Sequence, residues 1–138
     1  MSRRLAREVA FQALFQVDIG KSNPRLALHY TLKGLRFSPE EEQFVRELVE
    51  GTLENCRAVD EMISKHLVNW ELERLSAVDR NLLRLALFEI LHRPDIPGAV
   101  SINEALELAK KYGSSADAVS FINGVLDRVV GEALGRES

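Results

Sequence analysis

The chain has 138 residues, 46% of them hydrophobic and 28% charged, and a net charge of −3. That length buries one sizeable core but is short for two separate domains, and the composition is that of a globular protein. The single cysteine, Cys56, excludes an intramolecular disulfide and suits a reducing compartment. No apolar run reaches the length of a membrane span, and the cationic amino end lacks the apolar stretch of a secretory signal. The expected location is the cytoplasm.

The charge is unevenly spread. Residues 1–36 hold seven Lys/Arg against two Asp/Glu, residues 37–79 hold four against eleven, and residues 80–138 hold seven against eight. An acidic total therefore does not exclude a polyanionic partner, because phosphate affinity follows local clustering of cations.

In chain order, apolar residues at three- and four-residue intervals predict helices over 3–18, 25–34, 39–67 (with a break near Glu54 to Arg57), 77–92, 102–112 and 116–134. In the first, Leu5, Ala6, Val9, Ala10, Ala13 and Val17 form the core face. Arg3, Arg4 and Arg7 fall on the other side, in line with Phe11 and Phe15. The arginines oppose the helix macrodipole, whose amino end is already positive. Two readings of the rings stand side by side. They pack on a second helix beside solvated arginines, or at least one lies exposed beside guanidinium groups, as single-stranded RNA binding requires.

"SPEE" (Ser38 to Glu41) predicts a capped start for the third helix, with proline at its first position. "SAVD" (Ser76 to Asp79) and "SSAD" (Ser114 to Asp117) are aspartate versions of the same signal, and "SINE" (Ser101 to Glu104) reads as a full capping box. "GAVSI" is the one stretch that reads as strand, and it is too isolated to build a sheet. Inside the last helix, Asn123-Gly124 is a turn-type dipeptide. Ser120, Gly124 and Gly131 share a stripe that either admits a close approach or is simply tolerated. The expected fold is an all-α compact bundle of about six or seven helices, forming a single domain over residues 1–138.

Catalytic signatures are missing. His29, His66 and His92 lie on separate helices, Cys56 pairs with none of them by spacing, and there is no phosphate-binding glycine loop, HExxH helix or CxxC pair. Glu40, Glu41 and Glu42 read as a helix start rather than a metal site. No enzyme activity, cofactor or metal is expected.

Three stretches together resemble the NusB family of bacterial transcription antitermination factors: "RRLAREVAFQALFQ" (3–16), "LSAVDRNLLRLALFEIL" (75–91) and "VSINEALELAKKYGSSADAVSFINGVLDRV" (100–129). The last, with its INEA and NGVLD runs, is the most specific. The resemblance implies two packed helical subdomains and no catalysis. It implies binding of boxA-type single-stranded RNA of ribosomal RNA transcripts, together with NusE, a small-subunit ribosomal protein. That complex would join NusA and NusG at RNA polymerase to suppress premature termination. Carried over by position, it implies RNA contacts by Arg3, Arg4, Arg7, Phe15, Lys110, Asp117 and Phe121. Phe15 stands where the family often has tyrosine, keeping a stacking face without the hydroxyl. Glu73, Asp79 and Arg80 fall in the region implied to face NusE and RNA. Two rival readings remain. One is a free-standing protein-interaction module related to the accessory domain of ribosomal RNA cytosine methyltransferases. The other is a homodimer in which the basic helix meets the acidic middle of a second copy.

Overall fold

Ser38 accepts a hydrogen bond from the Glu41 backbone N–H at 3.1 Å, and the Glu41 carboxylate accepts one from the Ser38 N–H at 2.9 Å. This is the capping box the sequence signals, with Pro39 at the first helical position. In the computed structural model, which describes residues 3–67 and 71–133, the elements in order are α1 (Arg3–Gly20), α2 (Pro24–Leu32), α3 (Pro39–Glu54), α4 (Cys56–Ser64), a 3-10 turn (Leu72–Arg74), α5 (Ala77–His92), α6 (Gly98–Lys111) and α7 (Ala116–Ala133). No strand occurs among the described residues. The expected end of the last helix, at residue 134, lies outside them.

The break expected near Glu54 to Arg57 falls at Asn55. Its backbone N–H and its side-chain amide both donate to the Gly51 carbonyl, which closes α3 before α4 begins. The start of α6 departs from expectation. The helix begins at Gly98 behind Pro97, so Ser101 lies one turn inside it and is buried rather than capping. Proline fixes its own φ and ends the preceding loop, which starts the helix before the serine is reached. "GAVSI" is therefore helix. The cap of α7 is likewise shifted by one residue. Ser115 accepts from the Ala118 N–H, while Ser114 is free to act elsewhere.

Two groups of helices pack on each other. α1, α2 and α3 form one, with α1 against both partners; α4 to α7 form the other around α5. Nearly the whole of α5 from Asn81 to Ile90 is buried, as a helix apolar on all sides must be. Ala6, Ala10 and Ala13 are fully buried on α1, and their small side chains let that helix lie close to its neighbours. The Phe88 ring of α5 packs directly on Gly51 of α3, where an added Cβ would lie 2.1 Å from it. The small-residue stripe on α7 is not used in this way. Gly131 faces open space, and a Cβ at Gly124 would meet only the flexible end of Arg128.

Candidate nucleic-acid interface

The three amino-terminal arginines have different fates. The Arg3 guanidinium sits 4.6 Å from the Phe44 ring centroid and stays exposed. Arg4 donates from Nε and Nη2 to the two oxygens of Glu104, at 3.0 and 2.8 Å, with its side chain 64% exposed. Arg7 corrects the expectation that it lies on the solvated side. It is buried and donates through Nε to both oxygens of Glu89 at 3.0 Å, and through Nη2 to the same carboxylate. Arg7, expected among the RNA contacts, is thus held inside the fold on Glu89. The helical wheel places it opposite the core of the first three helices, but that side of α1 is covered by α5. The carboxylates of Glu89 and Glu104 also offset the unfavourable meeting of cations with the α1 dipole.

Two hollows flank the first turn of α5. One, of about 400 Å³, is lined by Arg74, Leu75, Ser76 and Asp79 together with Ser115, Asp117, Ala118 and Phe121 of the α7 end. The other, of about 240 Å³, is lined by Phe11, Gln12, Phe15 and Gln16 of α1, with Val78 and Tyr112. Val78 lines one hollow and the next residue, Asp79, the other, so both open beside the first turn of α5. The two readings of the α1 rings divide between them. Phe11 is core, packed edge-on against Tyr112 at 4.9 Å, whereas Phe15 is half-buried at the rim. Phe121 is half-buried on the far wall and Asp117 is exposed beside it.

The turn between α6 and α7 ties these walls together. Gly113, with φ of 88°, ends α6. The Ser114 N–H then bonds the Ala109 carbonyl and the Gly113 N–H bonds that of Lys110. This is the two-bond glycine stop in which a left-handed residue follows the helix. It presents the Ser114 hydroxyl to Asp79, to which it donates at 2.7 Å, while the Asp79 N–H is capped by Ser76. On the other side, Tyr112 donates to Glu8 at 2.6 Å and accepts from Gln12 at 2.8 Å, and Lys111 donates to Glu8 at 2.9 Å. Burial alone would raise the Glu8 carboxyl, but the Tyr112 and Lys111 hydrogen bonds outweigh it and hold it below its ordinary range. Burial, with Glu8 opposite, pushes the Tyr112 hydroxyl up.

Arg80 is a clamp rather than a presented side chain. Its Nε and Nη2 donate to Asp18 at 2.9 and 2.7 Å and its Nη1 to the Leu75 carbonyl, which leaves it 11% exposed. The residue expected to face a partner is thus engaged within the fold, on Asp18. Glu73 is exposed on the 3-10 turn, and Lys110 is exposed with its ammonium 3.2 Å from Glu107. Gln12, Gln16, Arg74, Ser115 and Tyr112 line the hollows without having been singled out. Gln12 and Gln16 carry a sequence signal, flanking Phe15 at one-turn spacing with Phe11. The others arrive through tertiary contacts that no local pattern records. Among the described residues no group of His, Cys, Asp and Glu could hold a metal ion, and no helix is long and apolar enough to cross a membrane.

The model of the NusB family matches residues 4–131. The chain is 51% identical to the transcription antitermination protein NusB of Desulforamulus reducens, over 94% of this chain and 90% of that one. It is 48% identical to the protein of the same name from Bacillus subtilis, over 94% and 95%. Among solved structures, T. maritima NusB superposes with a TM-score of 0.88 at 38% identity, covering 96% of this chain and 92% of that one. A crystal structure of the antitermination factors NusB and NusE in complex with dsRNA superposes at 0.86 with 27% identity, over 94% and 96%. With the all-helical fold, the two hollows and these relatives in agreement, the chain belongs to the NusB family of antitermination factors.

Proposed function

We propose that this chain acts in the cytoplasm as a single RNA-binding domain. In this reading it holds a boxA-type single strand of ribosomal RNA transcripts together with NusE, and delivers the complex to RNA polymerase with NusA and NusG. The observation that carries the reading is the pair of hollows rimmed by two aromatic edges, Phe15 and Phe121, with the exposed guanidinium of Arg74 at one of them and those of Arg3 and Arg4 exposed at the start of α1. Half-exposed rings offer faces to unpaired bases, and cations neutralise phosphates. Asp117 and Asp79 offer acceptors for base-edge donors. Lys110 adds a further cation at the α6 end, and Glu73 stands on the exposed 3-10 turn as a NusE contact. The solved relative in complex with NusE and dsRNA supports NusE and RNA as the classes of partner.

The test is a fluorescence-anisotropy titration of boxA-like single-stranded RNA, the same sequence as a duplex, and a scrambled strand, each with and without NusE. The cognate single strand binds tightest, NusE tightens it further, and Arg4→Ala with Phe121→Ala weakens it. Equal binding of cognate and scrambled strands, or a preference for the duplex, overturns the reading.

A further inference from the structure

Most cations of this protein are spoken for. Arg4, Arg7, Arg46, Arg57, Arg74, Arg80, Arg84, Arg93, Lys110 and Lys111 each have a carboxylate within 4 Å, Arg3 lies on an aromatic ring, and Arg128 donates to a backbone carbonyl. Apart from Lys65 just past α4, which is exposed and likewise makes no such contact, the remaining described cations are Lys21, Arg25, Lys33 and Arg36, and all four are exposed. They lie on α2 and its two flanking loops, a stretch from Ile19 to Pro39 without one Asp or Glu. On α2, Ala27 and Leu28 face the core, so Arg25 and His29 lie one turn apart along the outside, and Lys33 follows at the cap that ends the helix. Beside that row runs a second, Leu26 and Tyr30, and Tyr30 is 61% exposed. α2 packs on α1 and α3, whereas the proposed RNA hollows are built at the ends of α5, α6 and α7 with Phe11, Gln12, Phe15 and Gln16 of α1, and no residue of α2 lines them.

We propose that the outer face of α2 is a second, sequence-independent RNA surface. It would take the phosphate backbone of the strand flanking the segment held in the hollows, with Tyr30 as a stacking platform. The proposal rests on the RNA reading given above. An acidic protein segment is the competing occupant, and two observations favour the strand. The cations run the full length of the segment, interspersed with the exposed side chains of Ile19, Leu26 and Leu35, and the most exposed aromatic among the described residues is a tyrosine, whose ring stacks on a base while its hydroxyl stays in water. Unpaired cations also need break no ion pair to meet a phosphate, unlike Arg4.

The experiment titrates the full chain, wild type and Arg25→Ala/Lys33→Ala/Arg36→Ala, with two single-stranded RNAs carrying the same boxA-like core. One is about 10 nucleotides, within the span of a single-strand site, and the other is extended on both sides to about 30. Circular dichroism verifies that the variant is folded. Wild type is expected to bind the longer RNA at least about tenfold tighter, with a steeper salt dependence. The variant should bind the short RNA as wild type does. On the long RNA its log–log salt slope should fall by about 2, at roughly 0.7 per lost phosphate contact. Equal wild-type affinity for both lengths overturns the α2 surface and leaves the reading of the hollows intact. So does an equal loss by the variant on both lengths. Failure of wild type to bind either RNA overturns the reading of the hollows, and the α2 surface with it. If long-RNA binding is unchanged in the variant but binding of a poly-glutamate probe is lost, the face belongs to an acidic protein and the proposal falls.

Discussion

Replacing Arg7 by methionine separates a structural arginine from an RNA-contacting one. The Arg7 and Glu89 side chains are 7% and 1% exposed, and the pair is joined by three hydrogen bonds. The nearest further carboxylate, Glu104, is 3.9 Å from Arg7 Nη1. Methionine keeps much of the volume but leaves the Glu89 carboxylate buried without its cation. Breaking one side of a buried pair costs about 3–5 kcal/mol. For a chain of this size that corresponds to a fall in Tm of about 10–20 °C. Adding Glu89→Leu should restore most of the loss, since apolar replacement of both partners is often neutral or stabilising. Thermal denaturation followed by circular dichroism measures all three variants. RNA affinity of Arg7→Met, titrated well below its midpoint, should stay within about twofold of wild type, because a buried guanidinium makes no phosphate contact. A Tm within about 4 °C of wild type, roughly 1 kcal/mol, together with a tenfold loss of RNA affinity, would refute the reasoning.

Three further expectations follow from the packing and the charges. Gly51→Ala should destabilise by about 1–3 kcal/mol despite alanine's higher helix propensity, because its Cβ meets the Phe88 ring, whereas Gly131→Ala, facing open space, should stabilise by about 0.5–1 kcal/mol; urea melts of the two variants measure the opposite signs. Phe121→Ala should weaken single-stranded RNA binding by about 1–3 kcal/mol, the worth of one stacked base, while Phe15→Tyr keeps affinity within a few-fold; anisotropy titrations check both. Acid should unfold the protein progressively below about pH 5. The carboxyls of Glu8, Asp18 and Glu104 are held below their ordinary range when folded, so the unfolded chain binds protons first and stability present above that range is lost as pH falls through the folded values. A Tm-versus-pH series should show this fall, shallower in Glu104→Gln, and a flat profile down to pH 3 would contradict it.

Helix existence and order are legible in the sequence because each helix carries its own periodic face, and α3 and α5 carry their caps as well. The errors arise where two local signals compete. At α6, Ser101 with Glu104 spells a capping box, but Pro97 starts the helix earlier and the serine is drawn into the interior. The site was legible as a set of aromatic and charged positions, and the hollows do gather Phe15, Asp79, Asp117 and Phe121. Which arginine is free was not legible. Arg4 and Arg7 look alike on a helical wheel, and only the arrival of α5 and its Glu89 separates them. Arg80 hides for the same reason, since Asp18 lies 62 residues away in sequence. A residue's polarity is local information, whereas its partner is settled by tertiary packing.

The Ser114 hydroxyl that reaches Asp79 fixes one carboxylate oxygen before any strand arrives. The other can then accept from a base edge at a position set by two helices at once, the end of α6 and the start of α5. On the proposed RNA reading, binding at that wall would require little side-chain freezing, since the entropy normally lost in ordering an acidic rotamer is already absorbed in folding. Selectivity at this point would thus come from rigidity. A base whose donor is displaced by an ångström finds no carboxylate that can swing to meet it.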